Sequence, residues 1–468
     1  MSEIPAEAPA VQSAAHGVRA PGFSAKIAAV FATNTTTLVL GILSSLLIAK
    51  LLSVPDRGIV TAVVMIPGLL GAFALFGLPN AVNYFAGRGS SVAGLIRASL
   101  LFTVVLSVVL VTAVWFALPV IEKQILHAIP PQYDYLARVA LLTLPASMIV
   151  AFGGSLMYGR QQVRIYNITL VFQAVTSLLG AAVLVGFLHF GIPGAVATNI
   201  FINAASSVLV LFGLFHLHRN DKRGEPPRLR SLMSYGARLY PASLTGYLNY
   251  RADNIILQAL SVTGLAAQDN LSLYTFAVTM AEVVFLVPSS VASMFLPRVA
   301  GSSHEDAAAA LGGVARLTLL VSVCIAIALI PVALIGVHLV LPNYVESLPP
   351  FLAILPGVVS LSLAKVMTSY IGGRGRPGPA SIGATLALLV NVPMNLILIP
   401  RIGIVGASLS SVASYTALAA MMVIVASRMS GQSPRALCVP RRSDAAVLVR
   451  GVRRMAGRAT ARVRVRFA

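Results

Sequence analysis

Long apolar runs, broken by short polar or turn-forming stretches, divide the chain into twelve segments. They cover residues 27–49, 58–78, 95–118, 135–157, 166–188, 193–215, 236–260, 270–293, 312–334, 348–370, 379–399 and 403–426. Each is close to the roughly 20 residues an α-helix needs to cross hydrocarbon. The pattern therefore predicts an all-α polytopic membrane protein with twelve transmembrane helices. The loops are short, as in Val54-Pro55-Asp56-Arg57 and Gly372-Gly373-Arg374-Gly375-Arg376-Pro377; the longest central one runs from His216 to Ser234. None can form a domain, so the chain's work is expected within or beside the bilayer. No short apolar core with a cleavage site follows residues 1–25, and the run from Ile27 is read as a retained first span.

The chain also repeats itself at a lag of about 212 residues. Pro119 pairs with Pro331, His127 with His338, Pro131 with Pro342, Tyr133 with Tyr344, and Leu144-Pro145 with Leu355-Pro356. Gly159-Arg160 pairs with Gly373-Arg374, and the segment from Gly191 to Ala195 with that from Gly403 to Ala407. Ordered matches at one lag imply two six-helix bundles of like orientation, related by a pseudo-two-fold axis along the membrane normal. The expected organisation is an N-terminal tail (1–26), a first bundle (27–217), a basic linker (218–235), a second bundle (236–427) and an Arg-rich tail (428–468).

Composition narrows the class. Hydrophobic residues make up 57% and charged residues only 10%, against about 25% charged in soluble proteins; a soluble enzyme and a disordered chain are excluded. The net charge is +20, from 34 Lys and Arg against 14 Asp and Glu. Placing the N-terminus inside puts 27 of the 34 on the cytoplasmic side, the positive-inside pattern, with both termini cytoplasmic. Residues 428–468 hold 11 Arg against the single acid Asp444, a tail suited to anionic lipid rather than nucleic acid. Cys324 and Cys438 imply no disulfide framework.

Ionisable residues inside spans cost several kcal/mol to bury and so carry functional weight. Four stand out: Arg251, Asp253, Glu282 and Lys365. At 1.5 Å per residue, Arg251 and Glu282 lie roughly 14 and 17 Å below the outer edge and could pair across a central cavity; Asp253 points to another side of its helix. A guanidinium suits a diphosphate and equally suits a structural ion pair. Asp253 and Glu282 could couple transport to an ion gradient or serve as counter-ions, and Lys365 can snorkel to the headgroups. Asn249, Asn34, Asn80, Asn83, Asn199, Asn203, Asn391 and Asn395 suit sugar hydroxyls or helix packing alike. Pro67, Pro145, Pro288 and Pro356 are candidate hinges or ordinary membrane-helix prolines. There is no phosphate loop, HExxH or CxxC, so no catalytic residue, metal or cofactor is expected.

The stretch from Tyr235-Gly236 through Tyr250-Arg251-Ala252-Asp253-Asn254 resembles the start of the second half of polysaccharide (O-antigen-type) flippases. Gly372-Gly373-Arg374, then Asn391 to Pro400 and Gly403 to Ala407, and in the first half Ala49 to Gly58 and Phe76 to Phe85, carry the same likeness. The resemblance covers residues 23 to about 427 and implies a twelve-span member of the multidrug/oligosaccharidyl-lipid/polysaccharide (MOP) exporter superfamily. It further implies a bacterial cytoplasmic-membrane flippase, not an enzyme. The implied cargo is an undecaprenyl-diphosphate-linked sugar moved to the outer leaflet, and polysaccharide assembly proteins are the implied partners. Family cavities are commonly cationic, whereas here Arg251 alone lies near mid-depth. The alternative is a multidrug and organic-cation antiporter (MATE type) of the same superfamily.

Overall fold

The computed structural model describes residues 21–124, 129–220, 224–260, 267–376, 378–444 and 446, and among them there is no strand. The first half holds α1 (Pro21–Leu51), α2 (Val54–Ala74), α3 (Leu78–Gly87), α4 (Val92–Gln124), α5 (Asp134–Leu141), α6 (Leu144–Gly159), α7 (Val163–Gly180) and α8 (Gly191–Asn220). The second holds α9 (Leu229–Leu260), α10 (Ala267–Ala281), α11 (Leu286–Ala300), α12 (His304–Val340), α13 (Leu348–Gly373), α14 (Gly378–Ser430) and the short α15 (Pro434–Cys438). Among the described residues ten stretches are long and apolar enough to cross a bilayer. One of them, α14, contains two antiparallel arms, because Ile402 and Gly403 leave helical geometry between them. Adding α9, whose many polar residues keep it off an apolarity count, gives the twelve crossings read from the sequence.

Several crossings are broken helices. The second bends where Phe76 and Gly77 take positive φ between α2 and α3. The fourth breaks at Leu142-Thr143, just before Pro145, and the eighth passes through a 3-10 turn at Glu282–Phe285, just before Pro288. Proline lacks the N–H that would continue the helix and clashes with the preceding turn. Pro67 and Pro356 instead lie inside the continuous α2 and α13.

The internal repeat survives in three dimensions. The 3-10 turns Pro131–Tyr133 and Pro342–Ser347 open corresponding crossings. Gly191 and Gly403 both take positive φ at the same point of each half. Arg160 bonds the carbonyl of Ser90 at 2.6 Å, and its counterpart Arg374 bonds the carbonyl of Ser302 at 3.3 Å. Equivalent sequence therefore closes equivalent turns with the same contact.

Arg88, Arg160, Arg298 and Arg374 gather with the α8–α9 linker at one end of the molecule, the basic end; α2, α8, α10 and α13 begin at the other, the far end. Apolar packing is divided likewise. In the first half one cluster, with Ile59, Val63, Leu118 and Leu141, lies toward the far end and another, with Leu78, Leu95, Phe152 and Leu214, toward the basic end. The second half repeats this with Phe276, Phe351 and Ile399 against Val299, Met367 and Met422. Mid-depth between the halves is left to polar side chains.

The start of the C-terminal tail is docked. Arg316 of α12 donates to Asp444 at 2.8 Å and to the carbonyl of Ala436 at 2.6 Å, while Leu437 is fully buried. The Arg316 hydrogen bond, helped by the Arg441 backbone N–H, holds the Asp444 carboxyl below its usual range. A carboxyl depressed in the folded state contributes stability above its ordinary value and loses it as pH falls through the lowered one. Docking should therefore be constant across neutral pH and weaken only in acid. Asp444→Asn should make residues 431–446 several-fold more sensitive to limited proteolysis at pH 7 without lowering the melting temperature of the bundle. The Arg-rich stretch beyond residue 446 lies outside the described residues.

Candidate functional site

The ninth helix, α9, organises the interior. Its side chains recur every 3.6 residues, so Tyr247, Arg251 and Asn254 share one face while Asn249 and Asp253 share another. The first face opens into a cavity of about 410 Å³ lined also by Thr61, Thr198 and Asn199. Arg251 is exposed there and makes no hydrogen bond or ion pair among the described residues. The π-helical turn Ala181–Phe187 forms part of the wall; such turns widen a helix locally and often mark working sites.

The second face of α9 points into the second bundle. Asp253 is 2% exposed, and its carboxylate accepts four neutral donors: Tyr274 Oη at 2.6 Å, Ser411 Oγ at 2.5 Å, Asn391 Nδ2 at 2.9 Å and Asn395 Nδ2 at 2.5 Å. Three helices converge on it: α10 supplies the tyrosine, one arm of α14 both asparagines, and the other arm the serine. An isolated buried carboxylate is prohibitively costly; charge-assisted hydrogen bonds from four sides offset that cost with no cation present. Asn395 Oδ1 and the nearby Asn249 Oδ1 are buried with no partner among the described residues. The cluster thus gathers carboxylate, amide and hydroxyl oxygens around one point, a donor set that suits a proton or a hard cation.

Two further cavities flank α9 on the second-bundle side. One of about 500 Å³ is lined by Asn34 and Thr37 of α1 with Tyr250, Glu282, Ser290 and Lys365. Another of about 370 Å³ lies against Asn249, Tyr250, Lys365 and Thr368. Glu282 is exposed although it lies within the bundle, because it lines the first of these cavities. Glu282 and Lys365 line one cavity and Arg251 another, and no ion pair joins Glu282 to either cation. The Lys365 ammonium stands 4.8 Å from the centre of the Phe285 ring.

The halves meet at both ends of these cavities. At the far end α2 lies against α10 so closely that a Cβ on Gly58 would come within 1.9 Å of the Gln268 carbonyl oxygen. Beside it Arg57, 7% exposed, donates to the Ser272 carbonyl at 2.8 Å and to Ser45 Oγ at 3.2 Å. Its guanidinium also lies 5.2 and 5.8 Å from the Phe276 and Tyr344 rings. At the basic end Gly77 approaches Gly236 with a hypothetical Cβ 2.1 Å from its carbonyl. There Asn80 donates to Ser243 Oγ at 2.8 Å, and Tyr84 stacks on Tyr235 at 4.2 Å.

The residues expected from the sequence are therefore distributed over adjoining spaces. Arg251 lines the first cavity, Glu282 and Lys365 the second, Asn249 and Lys365 the third, and Asp253 stands buried between helices. Arg251 and Glu282, which the sequence allowed to pair, line different cavities and form no ion pair. Sequence reading missed Tyr274 and Ser411, and it placed Arg57 in a wet loop. The spacing of Asn391 and Asn395, one helical turn apart at the depth of Asp253, was the available signal for the carboxylate cluster.

Comparison with solved structures places the fold. It is similar to lipid II flippase MurJ in an inward closed conformation, with TM-score 0.66 and 13% identity, covering 85% of this chain and 87% of that one. Outward-facing and inward-facing structures of a multidrug resistance MATE family transporter of the MOP superfamily also match. Their TM-scores are 0.62 and 0.60, at 14% and 13% identity, over 87% and 85% of this chain and 96% and 95% of theirs. No curated protein matches. The family described as polysaccharide biosynthesis protein matches residues 47–347. That match spans more than half of the chain, and with its two bundles and twelve crossings the chain belongs to that polysaccharide biosynthesis family.

Proposed function

We propose that the protein flips a lipid-linked oligosaccharide or polysaccharide precursor from the inner to the outer leaflet by alternating access. A sugar-phosphate head cannot cross hydrocarbon unaided, so the protein must offer a polar route while the prenyl tail stays in lipid. The observation that carries this reading is Arg251, an unpaired guanidinium exposed into a mid-depth cavity walled by hydroxyls and amides. Bidentate hydrogen bonding to a phosphate is the natural use of such a group. The positive-inside rule assigns the basic end to the cytoplasm of a bacterial inner membrane, with both termini on that side. The Asp253 cluster is read as the coupling site, where a proton or monovalent cation binds in exchange for cargo movement.

A proteoliposome assay with a prenyl-diphosphate sugar tests the proposal. The protein should speed flipping, and Arg251→Ala should slow it by roughly 10- to 100-fold, as expected for losing a charged hydrogen bond of about 1.5–3 kcal/mol. Equal rates with and without protein would reject the function. The second reading, a multidrug and organic-cation antiporter, is favoured by the exposed Glu282 carboxylate. It requires efflux of a lipophilic cation that Glu282→Gln impairs and Arg251→Ala spares.

A further inference from the structure

We propose that the cargo's glycan is uncharged, and that Glu282 is the residue that excludes acidic glycans by offsetting the Lys365 charge in the cavity the two share. The inference rests on the flippase reading above and specifies its substrate. Its basis is the charge inventory of the interior. Among the described residues and apart from tyrosines, the three cavities around α9 are lined by three ionisable side chains, Arg251, Glu282 and Lys365. A protein with net charge +20 thus presents a single net positive charge to whatever occupies it, and every other polar group on those walls is a hydroxyl or an amide.

That one charge has a use. The phosphate linkage needs a cation, and Arg251 stands unpaired in the first cavity. Lys365 adds no second net positive charge. It lines the same cavity as Glu282 and is held over the Phe285 ring at 4.8 Å. Asp253, the remaining nearby charge, is enclosed by its four donors and does not line any of the three cavities. A glycan carboxylate entering the cavity of Glu282 and Lys365 would therefore meet no net positive charge, and would face the exposed Glu282 directly. Specificity of this kind, built from a repulsive group rather than an attractive one, is a general device. Hydroxyl and N-acetyl groups of a neutral sugar match the walls, which offer Asn34, Thr37, Ser290, Asn249 and Thr368 as partners.

The test uses two probes on the same prenyl-diphosphate anchor, one disaccharide ending in a neutral hexose and the other in a hexuronic acid. Both are assayed in proteoliposomes of the full-length protein. The wild type should flip the neutral probe at least 10-fold faster. Glu282→Gln frees Lys365 to receive the carboxylate and should raise the acidic-to-neutral rate ratio by 10-fold or more. Glu282→Gln combined with Lys365→Gln should return that ratio toward the wild-type value. General damage to the bundle lowers both rates and leaves their ratio in place. A wild-type ratio near one overturns the inference while the flippase reading stands, as does a ratio indifferent to Glu282→Gln. If the wild type flips neither probe, the flippase reading falls and this inference with it.

Discussion

Asp253→Leu should destabilise the protein more than any other single change in its interior, and Asp253→Asn should stop driven transport in a protein that still folds. The leucine leaves Tyr274, Ser411, Asn391 and Asn395 without their acceptor. Each stranded buried donor costs about 1–3 kcal/mol, so a loss of several kcal/mol is expected even after relaxation. The asparagine keeps the shape, and its amide can pair with the unpartnered Asn395 oxygen, so the fold survives. It carries no charge, however, and cannot exchange a proton or hold a cation at that point. Melting of the purified protein should drop sharply for leucine and little for asparagine. Gradient-driven flipping should fall by about two orders of magnitude or more for both, the equivalent of roughly 2.7 kcal/mol. Undiminished gradient-driven transport by Asp253→Asn would remove Asp253 from coupling.

The far-end closure supplies the second large effect. Gly58→Leu puts a side chain where α2 and α10 are already in backbone contact. The neighbour there is a main-chain carbonyl, which cannot rotate away, so the two helices must part. Arg57→Ala acts at the same seam by removing the guanidinium that spans Ser45, Ser272 and the Phe276 and Tyr344 rings. Cation–π contacts add about 0.5–2 kcal/mol and each hydrogen bond of a charged donor about 1.5–3 kcal/mol. Both variants should thus shift the protein toward a far-end-open state, by 10-fold or more in population. A cysteine introduced at Thr61, in the first cavity, should then react faster with a membrane-impermeant thiol reagent added outside. Unchanged labelling in both variants would show that this seam does not gate the cavity.

Much of this architecture is legible before folding, and the limits of that reading have identifiable causes. Apolar run length gave eleven of the crossings directly. The seventh, α9, was assigned despite its polar residues because flanking punctuation bounded it, and those residues are polar because one face borders water and another borders a buried carboxylate. The repeat at about 212 residues foretold paired turns at Pro131 and Pro342 and paired arginine caps at Arg160 and Arg374, since identical local sequence closes a turn in the same way. Proline positions were less informative. A proline at the start of a helix segment coincides with a break, as at Pro145 and Pro288, whereas one inside a well-packed helix, as at Pro67 and Pro356, is absorbed without one.

Arg57 marks the boundary most clearly. In the sequence it belongs to a four-residue turn signal and reads as a solvated loop charge. In the fold it lies in the first turn of α2, and residues from α1, α10 and the 3-10 turn before α13, three of them more than 200 positions away, enclose it. The sequence by itself determined that the chain crosses the membrane twelve times, in two like halves, with a handful of ionisable groups deep in oil. Those properties follow from local transfer free energy and spacing along the chain. Only the tertiary structure decided which of those groups face water, which are enclosed by donors and which bridge the halves, because a side chain's partners come from helices that sequence distance does not order.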